Sequence, residues 1–145
     1  MDHCVCVYII GMNVKKERLM TIKALKKNFS EFWKKPCQMV KGFSEKEGPK
    51  WLKKPLEADR RVVLVNPPRA GLDRSFSEFL SVQRNIDSLF YISCDPAHLA
   101  RDLSILLKQK HYQMVEIVPF DMFPRTKHVE VLAYLRRPDD EDVKL

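Results

Sequence analysis

Short apolar runs alternate with longer amphipathic stretches along the chain. Residues 4–10, CVCVYII, are a compact apolar run that predicts a strand. In residues 15–33, KKERLMTIKALKKNFSEFW, apolar side chains recur every three or four positions at Leu19, Ile22, Leu25, Phe29 and Phe32. That is the spacing of one helix face. CQMVKGF (37–43) reads as a strand, and residues 44–54 as a short helix or loop broken at Gly48-Pro49. RVVLV (61–65) is rich in β-branched residues and predicts a third strand. NPPRAGL follows it, and two prolines with a glycine can continue neither element. The pattern then predicts a helix over 74–85, a strand over 88–93, a helix over 96–110, and strands over 112–120 and 128–136.

Strands alternating with helices predict a mostly parallel sheet covered on both faces. The last two strands follow each other without a helix, which predicts an antiparallel edge pair. With 145 residues the chain is long enough for one domain with a substantial core. Nothing in it repeats, and no apolar run approaches the length of a membrane span. The four cysteines (Cys4, Cys6, Cys37, Cys94) are scattered without paired spacing, so neither a disulfide framework nor a metal site is expected. A reducing, cytoplasmic setting is the expectation.

Charge changes the picture more than composition does. The net charge of +7 is uneven: residues 1–61 hold 15 Lys/Arg against 7 Asp/Glu, and residues 62–145 hold 11 against 12. A basic first half suits a phosphate backbone, although any single lysine reads equally as part of a solvated face. The tail PDDEDVKL is acidic and without aromatics, and residues 138–145 are expected to be disordered.

The chemistry concentrates at predicted strand ends. In YISCDPAHLARDL (91–103), Phe90, Tyr91 and Ile92 lead into Cys94, and Asp95-Pro96 supplies an N-cap and a first-turn proline. Cys94 therefore lies between a strand end and a helix start, where open α/β sheets bind ligands and where helix N-termini stabilise thiolates. A buried core cysteine is the alternative. NPPRAGL (66–72) and PFDMFPRTKHVEVLAYL (119–135) are the other two such stretches.

Together, in this order, the three stretches resemble the RNA 5-methyluridine methyltransferase family, whose members carry a DPPR-type loop, an SCNP cysteine motif and a final FPxTxHxE motif. The resemblance covers about residues 60–137. It implies an α/β, Rossmann-like class I methyltransferase sheet, mostly parallel with an antiparallel C-terminal edge, in a partial catalytic domain over residues 1–137. It implies S-adenosylmethionine as cofactor and RNA as partner, and LARDL and DMFP look more like the ribosomal-RNA branch than the transfer-RNA branch. By position in the motifs, Cys94 is implied as the nucleophile that attacks uracil C6, and Glu130 as the base that removes the C5 proton. Pro67, Arg69 and His128 fall on the substrate side. Pro67-Pro68 would form a floor for the base, and His128 with Thr126 would shape the loop that presents Glu130 or simply make a turn. Arg69 could meet an RNA phosphate or hold its loop by a salt bridge. Arg101 could reach phosphate, or pair with Asp102 or Glu78.

The chain also departs from the family's pattern. Asn13 stands where the family has the acid that holds the cofactor ribose, Asn66 where it has aspartate, and Asp95 where it has asparagine. Asn13 and Asn66 are the candidate cofactor-binding residues, with hydrogen-bonding capacity but no charge. The first strand with its glycine-rich turn is expected to be missing, as are an N-terminal β-barrel and cluster cysteines. Two readings follow: part of an RNA uridine-5-methyltransferase, or a catalytically inactive RNA-binding remnant of one. An Asn-Pro-Pro loop also occurs in methyltransferases of exocyclic amines, a class that does not account for SCDP or FPRTKHVE.

Overall fold

The computed structural model describes residues 4–9, 44–54, 60–122, 124–126 and 128–138. The helix expected over 15–33, the strand over 37–43, Asn13 and all but the first residue of the acidic tail lie outside the described residues.

Five strands form one sheet in the order β1 (Cys4–Ile9), β2 (Arg60–Val65), β3 (Ser88–Ser93), β5 (Glu130–Arg136), β4 (Gln113–Phe120). β1, β2 and β3 run parallel, β5 is antiparallel to β3, and β4 is antiparallel to β5. The sheet is thus Rossmann-like, mostly parallel with an antiparallel C-terminal edge, as the element pattern predicts. β1 is hydrogen-bonded directly to β2, in register from Cys4 opposite Arg60 to Ile9 opposite Val65.

Three helices complete the described structure: α1 (Ser44–Leu52), α2 (Arg74–Ser81) and α3 (Pro96–Leu106). The alternation along β3 and β5 buries every second residue, so Leu89, Tyr91, Val131, Ala133 and Leu135 face one core. From the helices, Phe76, Leu80, Leu99, Leu103 and Leu106 fill it. On the opposite face of β3 and β5, Phe90 and Tyr134 stack with ring centres 4.6 Å apart, and both stay half-buried.

Helix lengths depart from the sequence pattern for identifiable reasons. Gly48-Pro49 does not break α1; Pro49 lies inside it. A proline in a helix interior costs about 3 kcal/mol, and tertiary contacts outweigh that cost. The buried Arg61 guanidinium donates to the Leu52 carbonyl and, at 2.8 Å, to that of Lys54, while Asn85 Nδ2 donates to Leu52 at 3.0 Å. α2 stops at Ser81 rather than 85, because its last carbonyls are taken from outside the helix. Gln83 Nε2 donates to Phe79 O at 3.0 Å, and the Tyr112 hydroxyl to Leu80 O at 3.1 Å. α3 stops at Leu106 rather than 110, closed by a turn in which Lys110 takes φ 56°. The edge strand β4 carries a register irregularity between Met114 and Glu116 and leaves Val115, Ile117 and Phe120 about half exposed.

Arg61 is therefore the clamp on the C-terminal end of α1. Arg61→Met keeps the aliphatic stem and removes the donors, and a hydrogen bond from a charged group contributes about 1.5–3 kcal/mol. The expected outcome is a loss of about 2–3 kcal/mol in denaturant unfolding, with amide exchange accelerated over residues 44–54 before the rest of the fold. Uniform exchange rates across the sheet and α1 would contradict it.

Candidate functional site

Because β5 runs antiparallel to β3, the carboxyl ends of β2 and β3 and the amino end of β5 lie at one end of the sheet. The three stretches singled out in the sequence leave or enter the sheet there. The register sharpens this. Ser93 is the last β3 residue paired to β5, opposite Val131. Cys94 follows Ser93 in the bend between β3 and α3, and Glu130 precedes Val131 as the first residue of β5, so the two adjoin the last paired positions at one end of the sheet. Both residues are half-buried.

Cys94 is a free thiol framed by its neighbours on both sides. The buried Ser93 hydroxyl donates to the Asp95 carbonyl at 3.0 Å and accepts the Asp95 N–H at 3.1 Å. Asp95 is the N-cap of α3, its carboxylate accepting the His98 N–H at 3.0 Å, with Pro96 in the first turn. That backbone hydrogen bond holds the Asp95 carboxyl below the usual range. The Ser93–Asp95 pair closes the backbone over Cys94, and the Asp95 cap ties the following residue to α3.

The loop after β2 is fixed by Asp102, which the sequence offered only as a pairing partner for Arg101. Asp102 is fully buried. Its Oδ2 accepts the Leu72 N–H at 2.7 Å and the Tyr91 hydroxyl at 2.6 Å, and its Oδ1 accepts Arg101 Nε and Nη2 at 2.9 and 2.7 Å. Arg101 Nη2 also donates to the carbonyls of Ala70 and Leu72, at 3.0 and 3.1 Å. Of the three roles open to Arg101, the pairing with Asp102 is the one observed; Glu78 pairs with Arg74 instead. The loop turns at Gly71, which takes φ +82° and whose N–H donates to Pro68 O at 2.9 Å. A Cβ there would lie 2.5 Å from Asp102 Oδ2, so only glycine lets the loop approach the carboxylate this closely. The signal for Asp102 was present in the sequence. It shares the apolar stripe of Leu99, Leu103 and Leu106, where an acid must find buried partners.

With the loop so held, Asn66 is exposed, Pro67 is buried, and Pro68 and Arg69 are exposed at the end of β2. The floor expected from Pro67-Pro68 is thus divided, with Pro68 alone presenting its surface. Arg69 Nη2 lies 3.1 Å from His128 Nδ1, so the loop after β2 touches the loop before β5. Within that second loop the His128 N–H donates to Thr126 Oγ1 at 3.2 Å. The partner of Arg69 is an imidazole and not the carboxylate of a salt bridge. The structure places Asn66, Pro67, Arg69, Cys94, His128 and Glu130 at one end of the sheet, with Arg69 and His128 in contact, whereas Asn13 lies outside the described residues. Among the described residues no group of His, Cys, Asp and Glu could hold a metal ion, and no helix is long and apolar enough to cross a membrane.

A family model described as tRNA (uracil-5-)-methyltransferase matches residues 12–138. An uncharacterised RNA methyltransferase of Lactobacillus johnsonii is 43% identical over 103 residues, 71% of this chain and 22% of the relative. A tRNA/tmRNA (uracil-C(5))-methyltransferase of Sulfurovum sp. is 48% identical over 79 residues, 54% of this chain and 20% of that protein. The matched stretch spans about a fifth of the length of these relatives. In fold, the chain is similar to the crystal structure of a proposed RNA methyltransferase from Pyrococcus horikoshii. The TM-score is 0.52 at 16% identity, over 91% of this chain and 63% of that one.

Two outcomes test the Asp102 cluster. Asp102→Ala strands the buried Tyr91 hydroxyl and Leu72 N–H, at about 1–3 kcal/mol each, and should lower unfolding stability by about 2–5 kcal/mol. A loss below about 1 kcal/mol would mean that water replaces the carboxylate at no cost. The second outcome concerns alkaline pH. Burial, and after it the hydrogen bond to Asp102, pushes the Tyr91 phenol well above its ordinary value. The folded state therefore holds a proton that the unfolded chain releases above a pH of about 10. This contribution is complete below that pH and is lost as pH rises toward the phenol's own raised value. Tyr91→Phe should fall less steeply in stability above that pH than the unsubstituted chain; parallel curves would contradict the assignment.

Proposed function

Because the chain belongs to the tRNA (uracil-5-)-methyltransferase family, we propose that it carries the nucleophile and the base for methylation of uridine C5 in RNA. The observation that supports this reading is the β3–β5 pairing, which ends at Ser93 opposite Val131, so that Cys94 leaves β3 at the end of the sheet where Glu130 begins β5. Uracil C5 is too weak a nucleophile to accept a methyl group directly. The Cys94 thiolate attacks C6, a C–S bond forms, and the displaced electron pair makes an enolate whose C5 is nucleophilic. S-adenosylmethionine, when bound, supplies an electrophilic methyl group for that carbon. Glu130 then takes the C5 proton, the C5–C6 double bond re-forms, and the C–S bond breaks to return the thiolate.

The other residues have supporting parts. Asn66 lies exposed at the end of β2, and its side-chain amide makes no hydrogen bond to another described residue. An amide offers both a donor and an acceptor, which fits the adenosyl or amino-acid part of the cofactor, and Asn13 is proposed for the ribose. Pro68, with Pro67 beneath it, gives a flat apolar surface for the uracil. The uridine must reach C6 and C5 to the thiol from outside a base stack, so a loop or a flipped nucleotide is the substrate form. LARDL and DMFP favour ribosomal RNA, whereas the Sulfurovum relative is named for tRNA and tmRNA. The second reading, an inactive RNA-binding remnant in the cytoplasm, is favoured by Asn13 and Asn66 standing in place of acids.

The test joins this chain to the N-terminal part of a relative and presents ribosomal and transfer RNA transcripts with S-adenosylmethionine. Cys94→Ala should abolish both methylation and covalent capture of RNA. Glu130→Gln should instead accumulate a methylated RNA–protein adduct, since proton removal follows methyl transfer, and mass spectrometry reads the methyl group directly. Normal turnover by Glu130→Gln, or adducts with Cys94→Ala, would overturn the assignment of nucleophile and base. Binding of RNA without methylation by the unsubstituted protein would leave the remnant reading standing.

A further inference from the structure

We propose that Arg69 and His128 form a latch that holds the Glu130-bearing loop in place, closed only while His128 Nδ1 is unprotonated; its link to catalysis rests on the uracil-5 reading. Arg69 comes from the loop that Asp102 and Arg101 fix to α3, so its backbone belongs to the rigid part of the site. His128 comes from the loop between β4 and β5, which Arg125 enters in a left-handed conformation at φ 71°. Among the described residues, the 3.1 Å contact between Arg69 Nη2 and His128 Nδ1 is the side-chain hydrogen bond between these two loops.

Its chemistry is directional. A guanidinium has donors and no acceptor, so Nδ1 must accept, and the neutral ring carries its proton on Nε2. A proton on Nδ1 would set two donors and two positive charges against each other. The latch therefore requires the tautomer that carries its proton on Nε2. The titratable and charged groups on the segments that meet at the latch are Arg69 after β2, Cys94, Asp95 and His98 around the start of α3, Asp121 and Arg125 in the same loop, its sequence neighbour Lys127, and Glu130 at the start of β5. Arg69 is the one within hydrogen-bonding distance of the ring among the described residues.

Position gives the latch its consequence. Val129 packs against the core, so His128 and Glu130, on either side of it in sequence, project away from that core. Holding the His128 ring thus fixes the rotation of the strand start that carries Glu130. Arg69 and His128 are positioning residues, acting on the base through the backbone and not on the uracil. An angstrom of misplacement at a reacting group costs orders of magnitude in rate.

The experiment has two arms. In the 145-residue chain with isotope-labelled histidine, NMR should show the His128 ring with Nδ1 unprotonated and Nε2 protonated at neutral pH. Arg69→Met should lose that single form and mobilise the backbone of residues 128–130. His128→Ala should mobilise the same residues. His128→Asn, whose Oδ1 replaces Nδ1 as acceptor, should restore order. A ring protonated at Nδ1, or a loop indifferent to Arg69→Met, overturns the latch. In the methylation assay, Arg69→Met and His128→Ala should each lower kcat roughly tenfold with KM for RNA little changed, and the double variant should be no worse than either. His128→Asn should rescue the loss. A rise in KM with kcat unchanged would make Arg69 an RNA contact and overturn the proposal. Methylation absent from every variant and from the unsubstituted protein, with the NMR results as expected, would leave the latch standing and remove the uracil-5 reading.

Discussion

The buried carboxylate of Asp102 is the constraint on which the site depends. It is reached from three elements at once: the Tyr91 hydroxyl from β3, the Leu72 N–H from the loop after β2, and Arg101 from its own helix. A charge with no exposed surface is tolerated only where hydrogen bonds satisfy it on every side, and removing any donor is felt by the others. Cys94 lies in sequence between Tyr91 and Asp102, so the segment carrying the thiol is tied at both ends to one carboxylate. The same carboxylate sets the path of NPPRAGL. Two of the three motif-bearing stretches are thereby held to each other within the fold.

The third stretch is delivered by topology. A parallel neighbour of β3 would bring its carboxyl end to the site, and the residues there would be those leaving the sheet. β5 is antiparallel and inserted between β3 and β4, so its first residue, Glu130, arrives at the end where Cys94 leaves. Antiparallel pairing also fixes the face, because opposed residues share it. A slip of one residue would turn Glu130 to the opposite face of the sheet. The buried alternation of Val131, Ala133 and Leu135 guards against that slip, so the core of the sheet specifies the geometry of the site.

How much of this was legible in the sequence follows from the range of each interaction. Strands β2 and β3 and the start of α3 were readable to within a residue or so, because alternation, β-branching and the Asp95-Pro96 cap are local signals. The ends of α2 and α3 were not. Tyr112 and Gln83 terminate α2 by taking its carbonyls, and Tyr112 is about thirty residues away along the chain. Pro49 misled for the same reason: the clamp that keeps α1 continuous past it is Arg61, on the next strand. Cys94 and Glu130 were legible as motif residues, yet their placement at one end of the sheet is a property of strand pairing. Asp102 left a readable trace, an acid on an apolar helix stripe, but its partners could not be named without the fold.

Two departures from the family's motifs acquire different physical meanings in this setting. Asp95 replaces asparagine at an N-cap, and both residues accept a backbone N–H there about equally well. Its carboxylate accepts the His98 N–H, and His98 Nδ1 lies 3.1 Å from the same oxygen, so the added charge is met locally within the first turn of α3. Asn66 replaces aspartate on the neighbouring strand end, exposed and with no hydrogen bond from its side chain to another described residue. The capping requirement explains the first exchange, whereas no contact within the fold requires the second. β2 and β3 are adjacent and parallel, paired from Val62 opposite Ser88 to Val65 opposite Tyr91. The exchange therefore moves one negative charge from the mouth of the site to a cap on the next strand end, and the count of acids across the two motifs is unchanged. The exposed side chain at the end of β2 is thus an amide without charge, offering a donor and an acceptor where a carboxylate would offer acceptors alone.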